Sequence, residues 1–372
     1  MPSGERLTLF LCGDVMSGRG VDQILACPSS PTLHEPHVRS ALEYVALAEQ
    51  VNGPIPRPVD HAYVWGAALE VLDRERPDVR IANLETSITT SNDPYPKGIN
   101  YRMHPANARV LEVPRIDCWV LANNHVLDWG RAGLVETLKI LARAGVRTAG
   151  AGRDLEAAQA PAALETDKGK RLLVFAFGFT DSGIPCEWAA EPARPGVHLL
   201  PDFSESTVER IARMVLAIKR PGDVSVASVH WGRNWGFAIS PAHRRFAHAL
   251  IDRAGIDVIH GHSSHHPRAV EVYRDRPILY GCGDFLNDYE GIRCQDQFRH
   301  DLVLMYFVTI DRSTGHLIRL DMTPLQIRKF RLEPPSRSDC TWLRDTLDRE
   351  CRAFNSRIAL SDEAWTLKWR GS

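Results

Sequence analysis

The segment Ile256-Asp257-Val258-Ile259-His260-Gly261-His262-Ser263-Ser264-His265-His266 carries a short apolar strand into a histidine cluster, after a helical pattern over residues 242–254. The same order of apolar run and polar end recurs along the chain. Residues 7–11 end at Gly13-Asp14, residues 79–82 at Asn83-Leu84-Glu85, and residues 224–229 at His230-Trp231-Gly232. Residues 118–121 lead into Ala122-Asn123-Asn124-His125-Val126-Leu127-Asp128-Trp129-Gly130; Leu134, Leu138, Leu141 and Ala142 then repeat at helical spacing. A further buried strand is read over 171–179, and Pro277-Ile278-Leu279-Tyr280 closes on Gly281-Cys282-Gly283-Asp284-Phe285. Strands interleaved with helices predict an α/β architecture. Polar residues at strand carboxyl ends mark where sites sit in such sheets.

The 372 residues suffice for one large or two ordinary domains. Apolar residues make up 44% and charged residues 24%, which fits a globule with a sizeable core and excludes a disordered chain. With 45 Lys and Arg against 46 Asp and Glu, there is no electrostatic ground for a nucleic-acid or anionic-membrane partner. No run of about 18 apolar residues occurs, and the start Met1-Pro2-Ser3-Gly4-Glu5-Arg6 opens no signal-peptide core. The cysteines are scattered, with no Cys-x-x-Cys. A cytoplasmic protein with reduced thiols is therefore expected. Alternation over 302–321 predicts a hairpin turning at 311–315. Beyond Pro334-Pro335, Trp342, Leu343, Leu347, Cys351, Phe354 and Ile358 recur with a helical period. The expected organisation is a catalytic body over 1–335 and a helical extension over 336–372 docked on it.

Four of the 15 histidines fall within residues 260–266. Imidazole is the commonest protein metal ligand and keeps its lone pair at neutral pH; a solvated His-rich loop is the plainer alternative. Asn124 offers a neutral carbonyl oxygen, His125 a proton donor or acceptor, and Asp128 a carboxylate to orient that ring, unless the segment is only a capped turn. In isolation, Asp14 and Glu85 read as capping acids and His230 as a hydrogen-bonded core histidine. Jointly, Asp14, Glu85, Asn124, His230, His262 and His265 form a mixed oxygen and nitrogen set that suits Mn, Fe, Zn or Co, and not oxygen-preferring Ca. Gly281-Cys282-Gly283 lacks the third glycine of a phosphate loop, and no Gly-x-Ser-x-Gly elbow supports a serine hydrolase.

Taken in order, Gly13-Asp14-Val15-Met16, Asn83-Leu84-Glu85, Asn123-Asn124-His125-x-x-Asp128-x-Gly130, His230-Trp231-Gly232 and Gly261-His262-x-x-His265 resemble the motifs of the CapA-type, poly-γ-glutamate-synthesis family. That family is itself similar to the calcineurin-like metallophosphoesterases, and the resemblance spans residues 7–290. It implies a four-layer α/β/β/α sandwich with one or two divalent ions at the strand ends. Asp14 and His265 match ligands of the first ion. Glu85 matches the residue that bridges to or joins the second, and Asn124, His230 and His262 match the rest of that site. His125 matches a general acid, with Asp128 behind it. Met16 stands where the phosphoesterases carry a histidine, which implies a weak first site. The usual amino-terminal membrane anchor of capsule-type members is not expected here.

Three functions fit this set. The first expectation is epimerisation at a peptide Cα, in which a divalent ion holds a carbonyl oxygen and a histidine moves the proton; soluble members of the family resemble tailoring enzymes of ribosomally made peptides. The second is hydrolysis of a phosphoester or amide. The third is a metal-stabilised accessory of γ-glutamyl polymer handling, against which the spare His125–Asp128 pair argues. The expected proton carriers are His125, with Asp128, and then His266. A peptide substrate with an anionic terminus is expected to meet Lys97, Tyr101, Arg102, His104 and Trp231, with Trp235 and Phe237 nearby.

Overall fold

Strand Arg171–Gly178 is apolar and buried on both faces, so it needs cover above and below. In the computed structural model, which describes residues 6–166, 170–292, 295–360 and 365–370, that cover is a second sheet on one side and helices on the other. Leu172, Val174 and Ala176 share an apolar layer with Leu7, Leu9, Leu11 and Ile81 of the other sheet. Leu173, Phe175 and Phe177 face Val208, Ile211, Phe246 and Leu250 from helices Glu205–Ile218 and Pro241–Ala254. On the far side of the other sheet, Phe10, Cys12 and Trp119 pack against helices Ala41–Asn52, Ala67–Glu75 and Gly130–Arg143. The result is the four-layer α/β/β/α sandwich that the motifs imply.

The larger sheet runs Ser356–Leu360, Trp365–Trp369, Leu317–Arg328, Leu302–Asp311, Arg6–Val15, Val79–Leu84, Cys118–Val120, Arg147–Ala149. Its last four strands are parallel. In the smaller sheet, Arg171–Gly178, Val224–His230, Val258–His262 and Arg276–Leu279 are parallel neighbours. Their carboxyl ends meet those of the larger sheet along one edge.

A crossing between the sheets completes that edge. After Arg276–Leu279 the chain leaves the smaller sheet, and Asp284–Leu286 pairs in parallel with Arg6–Val15. Glycine makes the approach possible, since a Cβ on Gly13 would lie 1.7 Å from the Gly283 carbonyl oxygen. The Asp14 amide donates to that carbonyl instead, at 3.0 Å.

Leu302–Asp311 and Leu317–Arg328 form the expected hairpin. Helix Arg337–Arg352 begins at Ser336, whose hydroxyl accepts from the Asp339 amide at 3.1 Å. It buries Leu343, Leu347 and Cys351 against the layer between the sheets. The segment after it is not helical: Ser356–Leu360 and Trp365–Trp369 pair and add to the larger sheet. Ile358 fits a helical period only by accident, because in its strand it shares the inward face with the buried Ser356. The described cysteines are all free thiols, and among the described residues no helix is long and apolar enough to cross a membrane.

Candidate metal centre

Parallel register places the polar strand ends together. Asp14 is opposite Asn83 and Asp284 on its two neighbours, and His230 is opposite His262. Two buried groups result, Asp14 with His230 and His262, and Asp14 with His265 and Asp284, their ligand atoms within 4.8 Å of one another in each. Asp14 belongs to both. Asn83 Nδ2 donates to Asp14 Oδ1 at 2.7 Å, and the Ser263 amide to Asp14 Oδ2 at 3.1 Å. Ser263 has φ 95°, a costly conformation for a residue with a side chain, and its hydroxyl is tied to the Gly232 carbonyl at 3.1 Å.

A relay behind the centre fixes one imidazole. His260 Nε2 donates to the Cys12 carbonyl at 2.8 Å, so its Nδ1 accepts from Ser228 Oγ at 3.0 Å. Ser228 Oγ, its proton given away, accepts from His262 Nε2 at 2.9 Å. His262 Nδ1 is thereby left with a bare lone pair, 2.8 Å from His230 Nδ1 and 3.9 Å from Asp14 Oδ1. This logic needs neutral rings, and burial lowers the pKa of His260 to about 4 and that of His262 well below its usual value. Outer partners that set a tautomer in this way are typical of metal-ligating histidines.

The carboxylates point to the same conclusion. Burial, then the charge of Asp284, raises Asp14 to about 7. Burial, then Asp14 and Asp284, raises Glu85 well above its usual range. Burial alone would lower His265, but Asp284, hydrogen-bonded to His265 Nδ1 at 2.8 Å, and Asp14 hold it above its ordinary value. Buried carboxylates that crowd one another around a bare imidazole lone pair suit a divalent cation. The donor set, carboxylate oxygen with imidazole nitrogen, fits Mn, Fe, Zn or Co.

His125 flanks the centre. Its Nδ1 lies 2.7 Å from Asp128 Oδ2 and its Nε2 3.8 Å from Glu85 Oε1. Burial lowers its pKa to about 4 despite Asp128, with Lys97 adding to the fall. Lys97 Nζ reaches Asp128 Oδ1 at 2.8 Å, His125 Nδ1 at 3.1 Å and the Asn124 carbonyl.

The model of the bacterial capsule synthesis protein PGA_cap matches residues 8–289. The chain belongs to the PGA_cap family. A probable polyglutamine synthesis accessory protein of Mycobacterium tuberculosis is 49% identical over 354 residues, covering 95% of this chain and 93% of that protein. The capsule biosynthesis protein CapA of Bacillus anthracis is 25% identical over 330 residues, covering 89% of this chain and 70% of that protein. Among solved structures, a phosphatase from Mycoplasma pneumoniae aligns with 89% of this chain and 95% of its own, at 10% identity and a TM-score of 0.46.

In this PGA_cap member the structure gathers Asp14, Glu85, Asn124, His230, His262 and His265 at one edge, but not all as direct neighbours of one point. Asn124 Oδ1 lies 3.0 Å from His230 Nε2, where it orients that ring. Asp284 is the residue that the sequence reading missed. It follows an apolar run in sequence, as the other acids do, and that position is its only sequence signal. It supplies the third donor beside Asp14 and His265 that Met16 cannot.

Several expected residues do other work. His266 is not placed as a proton carrier: Nε2 accepts from the Gly236 amide at 3.2 Å, Nδ1 donates to the Pro267 carbonyl at 3.1 Å, and the ring stacks on Phe298 at 4.6 Å. Burial lowers its pKa to about 3. Arg102 is spent on the Ser91 carbonyl at 2.7 Å and on the Trp129 ring at 3.8 Å. His104 caps a short helical turn by accepting from the Ala106 amide at 3.2 Å. Trp231 is buried, donating to the Tyr280 carbonyl at 2.9 Å. Lys97 serves Asp128, and Tyr101 is a buried wall whose ring meets His125 at 4.6 Å. The expected anion-binding pocket is therefore not formed by these cations.

Proposed function

We propose that this protein is a divalent-metal-dependent hydrolase of phosphoesters. The observation that carries the reading is that Asp14 belongs to two ligand groups at once, with the acid–base pair His125–Asp128 alongside. Asp14, His230 and His262 would hold one ion, and Asp14, His265 and Asp284 the other, with Glu85 beside both and Asn124 setting the His230 ring. Such ions supply Lewis acidity toward phosphoryl oxygens and a nucleophile at neutral pH. His125, neutral at pH 7 with Nδ1 turned to Asp128, presents Nε2 to the centre, so that atom would take up a proton first and then give it to a leaving oxygen. Asp128 orients the ring through Nδ1. Lys97 offsets the Asp128 charge and so keeps a protonated His125 acidic. Family membership, and relatives named for capsule and polyglutamine synthesis, support a setting in which a glutamyl polymer is made or handled.

A first site left weak by Met16 would favour epimerisation over hydrolysis, since it need not generate hydroxide, but Asp284 stands beside Asp14 and His265 as a third donor, and the relatives are named for capsule and polyglutamine synthesis. Metal-stripped protein, reloaded with Mn, Fe, Zn or Co in turn, is offered bis-p-nitrophenyl phosphate, p-nitrophenyl phosphate and a γ-glutamyl oligomer. Metal-dependent ester cleavage supports the reading. Full metal loading with no ester turnover overturns it; a shortened oligomer moves the chemistry to amides, and deuterium at Cα in an intact peptide in D₂O restores epimerisation.

A further inference from the structure

A cavity of about 270 Å³ adjoins the Asp14–His265–Asp284 group. Its size is near the lower end of the roughly 300–1,000 Å³ found for small-molecule sites, which gives room for one ring and its link, not for a polymer segment. Four rings close a circuit around it. Trp235 lies 5.2 Å from His265, His265 5.4 Å from Tyr289, Tyr289 5.6 Å from His300, and His300 6.0 Å from Trp235. One member, His265, also belongs to the Asp14 ligand group, so a group held in this circuit lies beside whatever the centre holds.

Charge selects the occupant. Arg19 lines the cavity, and its guanidinium sits over Tyr44 at 3.9 Å, Tyr101 at 4.5 Å and Tyr289 at 5.8 Å. Its donors go to Asp288 at 2.5 and 3.1 Å, to Glu35 at 2.9 Å and to Tyr44 Oη at 3.2 Å. A ligand cation would find the tyrosine faces already taken by a positive charge. A ligand anion would find four of the five guanidinium donors already committed and the positive charge outweighed by the two carboxylates, Asp288 and Glu35, that hold it. A neutral group remains. His300, also in the wall, is buried and its Nδ1 has no hydrogen-bond partner, which calls for one polar atom on the occupant.

We propose that this cavity is a substrate subsite for an uncharged aromatic ring that carries one hydrogen-bonding group. The inference rests on the hydrolase reading for the phosphoryl part of the substrate, and it adds the class of group next to it. Two sources share this chemistry, an aromatic residue of a peptide and the base of a nucleotide.

Calorimetry on the metal-loaded full chain compares phenylphosphonate with methylphosphonate. The ring should bind about tenfold tighter. Trp235→Leu should erase that ratio. His300→Phe should keep it, while erasing the further gain of 4-hydroxyphenylphosphonate over phenylphosphonate. Equal affinities in the unmodified protein, or a ring preference that survives Trp235→Leu, overturn the subsite. The comparison is repeated with phenylacetate and acetate to separate the two readings. A ring preference there, without phosphoester turnover, keeps the subsite and removes the hydrolase; ester turnover with no ring preference for either head does the reverse. Tighter binding of 4-(phosphonomethyl)phenylalanine than of the 5′-phosphonate analogue of thymidine 5′-phosphate assigns the ring to a peptide, and the opposite order to a nucleotide.

Discussion

Asp14 and Asp284 face each other on adjacent parallel strands, one on the first strand of the chain and the other just after the last parallel strand of the opposite sheet. Their pairing joins the two sheets at the site edge. It also sets two buried carboxylates against each other, with His265 Nδ1 2.8 Å from Asp284 Oδ1 beside them.

Asp284→Ala should therefore lower bound metal as far as His265→Ala does, measured by elemental analysis of purified protein. Met16→His should change nothing, because Asp284 already completes that group and Met16 is buried under the Tyr289 hydroxyl at 3.6 Å. A rise in metal content on Met16→His would show that Asp284 is not a ligand.

Metal removal should couple to pH. An acid whose folded pKa stands above its usual 3.8 holds its proton more firmly in the folded chain, so the metal-free fold loses stability as pH rises from there toward about 7, the Asp14 value. Metal binding must displace those protons, so affinity should climb with pH over the same range. The gap in melting temperature between metal-loaded and chelator-treated protein should widen from pH 6 to pH 8, by scanning calorimetry, at about 1.4 kcal/mol for each proton and pH unit. A constant gap would mean that no carboxyl proton is displaced.

His125→Gln should keep its metal and lose about 10²–10⁴-fold in rate, the usual worth of general acid–base help. Lys97→Met should also keep metal but lose rate and stability, since it strands the buried Asp128 carboxylate; Lys97→Arg should recover part of both. Unchanged turnover in His125→Gln would place the proton carrier elsewhere.

The sequence exposed those parts of the site that follow from local pattern. Asp14, Glu85, His230 and His262 each end an apolar run, and parallel strands in α/β folds deliver such ends to one edge. Asp284 obeys the same rule, but its strand is three residues long and lies in the sheet opposite the strand before it, a jump that no periodicity reveals. Lys97, Arg102 and His104 lie close to Glu85 in sequence, yet their side chains are consumed by Asp128, Trp129 and a backbone amide. Proximity along the chain says nothing about which partner claims a charge. The aromatic circuit around Trp235 joins residues from four separate segments, and only the fold brings them together. The C-terminal helix was legible from its spacing. The two strands after it were not, because a short amphipathic strand and one helical turn place similar residues.

His198 supplies a test of stability apart from catalysis, since it belongs to neither ligand group. Its ring is buried edge-on to Phe177 at 5.6 Å, and burial lowers its pKa from 6.5 to about 4, against the pull of a hydrogen bond to Ala176. Between those two values the unfolded chain binds a proton that the folded chain refuses. The contribution of this group to stability is thus complete above about pH 6.5 and is lost progressively as pH falls to about 4, up to about 3 kcal/mol in all. The other histidines with lowered values, His125, His230, His260, His262 and His266, act in the same direction, against the opposite slope of the raised Asp14 and Glu85 carboxyls. His198→Gln removes one titrating group while keeping a side-chain donor. Chemical denaturation at pH 7 and at pH 4.5 should show a smaller drop for the variant than for the unmodified chain, whatever the cost of the substitution at pH 7. Equal drops would mean that His198 takes up its proton without opening the fold.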